Sequence, residues 1–269
     1  MKRKWLAAAA LSVAVLSGGR AAAAGPLVVD GAVLDTADTY VYQNTTYVPF
    51  RAVTEALRPD AQVAWERGQA VARAEDLSLS AQPGASYIEA NGRALYAPTG
   101  VYSSQGSTLV PVRVLAAALG AQVDWEPASG TVTVTGGSGA IAPAGERYPE
   151  QDLYWLSRII SAESKGESLE GQIAVGNVIL NRVASPEFPN KVYDVIFDAR
   201  WGGQFAPVKN GTIYDAPSDS SILAAKLCLE GANTAGNSLY FLAPALAGNL
   251  WTMEERTYVT TIGTHWFYR

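Results

Sequence analysis

Apolar residues Leu153, Leu156, Ile159 and Ile160 recur at steps of three and four, the period of one helix face. Continuing that step from Ile159 and Ile160 reaches Glu163, so a carboxylate falls on the apolar stripe and not on the wet face. A carboxylate there either meets a partner or has its pKa raised by desolvation. The alternative is a stripe-edge Glu that reaches solvent. A second helix is predicted through residues 170–182, with Ser168 as its N-cap. Gly171 and Gly176 lie inside it, each at a cost of about 1 kcal/mol against Ala. That cost predicts a close approach to the helix bearing Glu163. Asn177 and Asn181 stand four apart on one face, suited either to hydrogen-bond a sugar or to hold a neighbouring loop. A third run, 222–229, has Ser218 as N-cap and Gly231 past its end. It carries Cys228, read as a buried structural thiol.

Ahead of these helices the period changes from 3.6 to 2. Val48-Pro49-Phe50-Arg51 is echoed by Val110-Pro111-Val112-Arg113, each leading into a short Ala/Leu-rich helix. Each copy then gives a strand, Ala61-Gln62-Val63-Ala64-Trp65-Glu66 and Ala121-Gln122-Val123-Asp124-Trp125-Glu126. Pro127-Ala128-Ser129-Gly130 turns the second strand into the alternating run 131–135, and Asn91-Gly92 signals another hairpin. Two β-rich units with one helix apiece should pack together. Matched positions in both copies make core packing the first expectation for Trp65 and Trp125, ahead of sugar stacking. Arg51 and Arg113 are expected to make structural hydrogen bonds, Arg51 also pairing with Glu55 four residues on.

The fold class is therefore α+β. A β-rich two-repeat domain at 25–136 is joined by a Gly/Pro linker at 137–150 to a mostly helical domain at 151–269. Residues 1–24 read as a secretory signal: Lys2, Arg3 and Lys4, then an apolar run too short to span a bilayer, then Ala22-Ala23-Ala24 as a cleavage site. The mature chain is expected to be exported, with no stable membrane insertion.

Composition narrows the chemistry. With 48% hydrophobic and 17% charged residues the chain is globular, and a net charge of −5 argues against nucleic acid as partner. One Cys and one His leave no intrachain disulfide and no zinc-type ligand set, so no metal and no cofactor are expected. A nucleophilic triad would have to use His265, and no Gly-x-Ser-x-Gly elbow is present.

Two family resemblances follow from the quoted blocks. The Val-Pro-x-Arg, helix, Val-x-Trp repeat resembles the copper amine oxidase N-terminal-like domain, but without His or Cys it offers no soft or imidazole copper ligands. A contact to the wall or to an accessory protein is expected of this domain. Ala162-Glu163, Gly166-Glu167, the run 170–182, Gln204-Phe205, Leu239-Tyr240-Phe241 and Ile262-Gly263-x-His265-x-Phe267 resemble the SleB/CwlJ-type cell wall hydrolase family. That resemblance implies a lysozyme-like domain with a groove for peptidoglycan glycan strands and Glu163 as the catalytic acid/base. It also implies cleavage between N-acetylmuramic acid and N-acetylglucosamine, typically by lytic transglycosylation, at the cell wall or spore envelope. The chain departs from the family at Leu242-Ala243-Pro244, where members often carry Asn-Pro. Gln204, Tyr240, Trp251, Asn177 and Asn181 are the candidate glycan contacts. His265 reads as structural. A muramidase-type hydrolase, an N-acetylmuramoyl-L-alanine amidase and a non-catalytic wall-binding protein are the alternatives.

Overall fold

A computed structural model describes residues 22–34, 38–200, 204–245 and 255–269. Trp251 and residues 1–21 of the signal segment lie outside the described residues. By contacts the chain divides into two units: the first ends at Ile141 but excludes residues 91–96, which join residues 142–269 in the second. The second unit thus starts inside the stretch read as linker.

In the first unit the strands are β1 (Ala22–Ala23), β2 (Leu27–Val29), β3 (Ala32–Leu34), β4 (Tyr40–Tyr42) and β5 (Thr45–Pro49), followed by helix α1 (Phe50–Leu57). A meander of β6 (Gln62–Glu66), β7 (Gln69–Arg73), β8 (Ser78–Ala81) and β9 (Tyr87–Ala90) comes next. The chain then reverses through Asn91 and Gly92, at φ 49° and 79°, into β10 (Arg93–Tyr96), which is assigned to the second unit. The second repeat supplies β11 (Tyr102–Ser104), β12 (Ser107–Pro111), α2 (Val112–Ala118), β13 (Gln122–Glu126) and β14 (Thr131–Thr135).

The repeats join along β5 and β12, antiparallel, with Val48 opposite its own counterpart Val110. Both valines are fully buried, so an approximate two-fold axis passes through the centre of this core. Pro49 and Pro111 each end a strand and open a helix, where a fixed φ suits the first turn and no ladder N–H is forfeited. Arg51 donates to the Val63 carbonyl at 2.9 Å and to Glu55 at 3.0 Å, and Arg113 to the Val123 carbonyl at 3.3 Å. The expectation for the two tryptophans is overturned. Trp65 and Trp125 are 58% and 57% exposed, because β6 and β13 turn alternate residues outward and these indoles lie on the outer face.

The second unit holds α3 (Ala144–Arg147), α4 (Glu150–Ser164), α5 (Leu169–Ala184), α6 (Val192–Ile196), α7 (Ala206–Asn210), a 3₁₀ turn at Thr212–Tyr214 and α8 (Asp219–Leu229). Helices α4, α5 and α8 pack mutually around Leu156, Ile159, Ile160, Ile173, Val178 and Leu227, all fully buried. Ser168 caps α5 by accepting from the Gly171 N–H, and Ser218 caps α8 by accepting from the Ser221 N–H. A Cβ at Gly176 would lie 2.6 Å from Cys228 Sγ and 2.8 Å from Ile160 Cδ1, so the missing side chain is what lets the three helices meet. Cys228 is buried there, with its thiol pKa pushed upward by burial. A three-stranded sheet, in the order β15 (Tyr240–Leu242), β17 (His265–Tyr268), β16 (Tyr258–Ile262), completes the unit. Among the described residues no helix is long and apolar enough to cross a membrane.

Candidate active site

Glu163 occupies the last turn of α4. It is half-buried, at the mouth of a cavity of about 430 Å³. Its carboxyl is pushed up to about 7 by desolvation. The carbonyl end of α4 acts in the same direction, since the negative pole of a helix disfavours a nearby anion. Among the described residues no group donates a hydrogen bond to this carboxyl, and no other carboxylate lines the cavity.

The cavity gathers Gln204, Phe205, Tyr240, Phe241, Arg182 and His265 around Glu163. Of the glycan contacts expected from sequence, Gln204 and Tyr240 are therefore brought to the acid. Both also line an adjoining depression of about 680 Å³ that runs toward Asp198, Arg200 and Arg256. The two hollows together make a trough with Glu163 toward one end. Arg256 stacks over the Tyr240 ring at 3.4 Å, and Arg182 lies 5.3 Å from it.

Asn177 and Asn181 do not reach the trough. Asn177 is buried; its amide donates to the Ala232 carbonyl at 2.7 Å and its oxygen accepts from the Thr234 N–H at 2.9 Å. Asn181 donates to the carbonyls of Gly236 and Ser238, both at 2.9 Å. Arg182 Nε donates to the Leu239 carbonyl at 2.7 Å. The reading of the two asparagines as glycan contacts is corrected: neither lines the trough, and both ends of the Asn177 amide and the Asn181 NH₂ instead hold segment 232–239 against α5. That segment leads directly into β15, so the helix sets the position of Tyr240.

Arg182 is the residue the sequence pattern least revealed. It is 4% exposed, and burial lowers its pKa to about 10. Helical spacing from Val178 and Ile179 puts it on the buried face, where a long cation is uncommon. Its Nε does serve the loop, while Nη1 has no hydrogen-bond partner among the described residues.

His265 opens β17 and is buried, edge-on to Phe241. Its Nδ1 lies 3.6 Å from Glu167 Oε1, and burial holds its pKa below the usual value. Glu167, in the turn after α4, accepts from the Thr264 hydroxyl at 2.5 Å and from the Thr264 N–H at 3.2 Å. Those bonds lower its pKa, so Glu167 stays an anion that ties the β16–β17 turn to α4. The alternation His265, Phe267 along one strand face was the signal that His265 points inward. Among the described residues no group of His, Cys, Asp and Glu side chains is arranged to hold a metal ion.

Known proteins match both parts of the chain. Residues 166–268 match the family model described as cell wall hydrolase, and residues 28–135 the copper amine oxidase N-terminal domain. The hydrolase match starts three residues after Glu163. A spore cortex-lytic enzyme of Bacillus cereus is 35% identical over 149 residues, covering 51% of this chain and 56% of that protein. A spore cortex-lytic enzyme of Oceanobacillus iheyensis is 37% identical over 136 residues, covering 49% and 46%. The chain thus spans about half the length of these curated relatives. A solved structure described as the catalytic domain of the germination-specific lytic transglycosylase SleB from Bacillus anthracis is 37% identical, with a TM-score of 0.42, covering 48% of this chain and all of that one. The second domain thus resembles the SleB-like cell wall hydrolases, and the segment ahead of it resembles the copper amine oxidase N-terminal domain.

Proposed function

We propose that this chain cleaves the bond between N-acetylmuramic acid and N-acetylglucosamine in peptidoglycan, as a lytic transglycosylase with Glu163 as its one catalytic acid/base. The observation that carries the reading is a lone half-buried carboxyl, pushed up to about 7, opening into a trough beside Gln204 and Tyr240. A proton donor needs such a pKa to be protonated near neutral pH and still release its proton.

The reaction runs without a second carboxylate. The Glu163 carboxylic acid protonates the glycosidic oxygen as the bond from muramic C1 breaks. The resulting carboxylate then accepts the proton of the C6 hydroxyl on the same sugar, whose oxygen closes onto C1. The products are a free N-acetylglucosamine hydroxyl and a 1,6-anhydromuramic end, and Glu163 is again protonated. No water is consumed. The tethered hydroxyl replaces the activated water for which ordinary glycosidases supply a second acid. Tyr240 offers a flat face to a pyranose ring, and Gln204 an amide that both donates and accepts. Action at the spore envelope, on cortex peptidoglycan, is supported by the names of the relatives.

Mass spectrometry of digested peptidoglycan tests the reading. Anhydromuramic ends are expected, and their loss in Glu163→Gln. Reducing muramic ends would point to a hydrolase, freed stem peptides to an amidase, and glycan retained without any product to a binding protein.

A further inference from the structure

The first unit carries two grooves that its two-fold pattern makes equivalent. One, of about 560 Å³, lies between Pro111, Arg113 and Trp125 of the second repeat and, in the first, turn residue Asn44 with Thr45 and Thr46 at the start of β5. The other, of about 180 Å³, lies between Pro49, Arg51 and Trp65 of the first repeat and, in the second, turn residue Gly106 with Ser107 and Thr108 at the start of β12. Each groove therefore needs both repeats. The pairing of Val48 with Val110 across β5 and β12 places them about one local axis.

We propose that these grooves, the larger one foremost, bind the peptidoglycan glycan strand and so anchor the chain to its polymeric substrate. This rests on the proposed action of the second domain for the identity of the polymer. Each groove floor combines an indole face more than half exposed with side-chain hydroxyl groups and one guanidinium. An indole matches the C–H face of a pyranose, and hydroxyls and amides match its rim of hydroxyl and N-acetyl groups. Among the described residues neither indole stacks on another ring of the protein. At matched positions of the two repeats, each indole is more than half exposed and leaves a face open to a ligand.

The two grooves are not equal, and the difference is legible in charge. Arg51 is neutralised by Glu55 at 3.0 Å. The counterpart of Glu55 in the second repeat is Ala117, and Arg113 donates only to a backbone carbonyl. Arg113 is the one charged residue lining the larger groove, a cation with no carboxylate partner among the described residues. Stem peptides on the glycan bear carboxylates, which complement it. Asn44, where the other groove has Gly106, adds an amide at the same rim.

The experiment is co-sedimentation of the full chain, in the Glu163→Gln background so that the polymer stays intact, with sacculi stripped of proteins and anionic polymers. Trp125→Ala should weaken retention roughly threefold to tenfold, the range of one aromatic stack. Trp125→Tyr should restore most of it, and Trp65→Ala should change it less. Arg113→Ala should weaken retention and flatten its dependence on salt. Unchanged retention in Trp125→Ala with native far-ultraviolet circular dichroism overturns the proposal, as does a larger loss from Trp65→Ala. Retention that vanishes once the sacculi are stripped overturns it in favour of a wall polymer or protein. Because retention is scored without cleavage, failure of the transglycosylase reading would show in the products and leave this result intact.

Discussion

Replacing Glu163 by Gln should inactivate the chain and also stabilise it, by an amount that depends on pH. The native carboxyl holds its proton up to about 7, whereas an unfolded glutamate releases it near 4.5. Between those values the unfolded state binds fewer protons, so wild-type stability falls as pH rises through the window. The gap between 4.5 and about 7 corresponds to an upper value of about 3 kcal/mol, reduced to about 1–3 kcal/mol because the side chain is only half-buried. Glutamine keeps the shape and never ionises, so it removes this loss. Urea unfolding of wild type and Glu163→Gln at pH 4, 6 and 8 reads the difference. The two should coincide at pH 4 and separate by about 1–3 kcal/mol at pH 8, with the variant more stable. A constant difference across pH, or a variant less stable at pH 8, would refute the argument that burial sets this pKa.

Other outcomes follow from packing and hydrogen bonds. Gly176→Ala should lower the midpoint of thermal unfolding despite the better helix former, since its Cβ would stand 2.6 Å from Cys228 Sγ; a cost of about 1–3 kcal/mol is expected. Asn177→Ala should cost about 1–3 kcal/mol in chemical denaturation, because the buried Ala232 carbonyl and the half-buried Thr234 N–H lose their partner. Asn181→Ala should leave the fold intact and raise KM more than it lowers kcat, since it loosens the segment that positions Tyr240. Glu167→Gln should weaken the chain above the ordinary carboxylate range. Glu167 has a lowered pKa, so its contribution is present above the unfolded pKa and fades as pH falls; thermal melts at pH 3 and pH 7 should converge for variant and wild type at the acid end.

The helices of the second domain were legible because their apolar stripes are long and their caps strong. Ser168 and Ser218 cap α5 and α8 as their sequence context implies. Glu163 was legible for the same reason: a stripe of Leu and Ile extends to it, and the structure desolvates it. The destination of Asn177 and Asn181 was not, since helical spacing fixes a face but not what packs on it. Trp65 and Trp125 misled for a related reason. Period two divides inside from outside, yet the bulk of an indole suggests the inside, and only the assembled sheets show these two facing water. That His265 and Arg182 line the cavity of Glu163 was not legible, because spacing puts each on a buried face and only the fold brings those faces together.

Carbon-13 NMR of the glutamate side-chain carboxyls, recorded against pH for wild type and for Glu163→Gln, tests the account at its root. One resonance present in wild type and absent from the variant should titrate near 7. Titration of that resonance near 4.5 would leave Glu163 ionised at neutral pH, without a proton to give, and would contradict the mechanism.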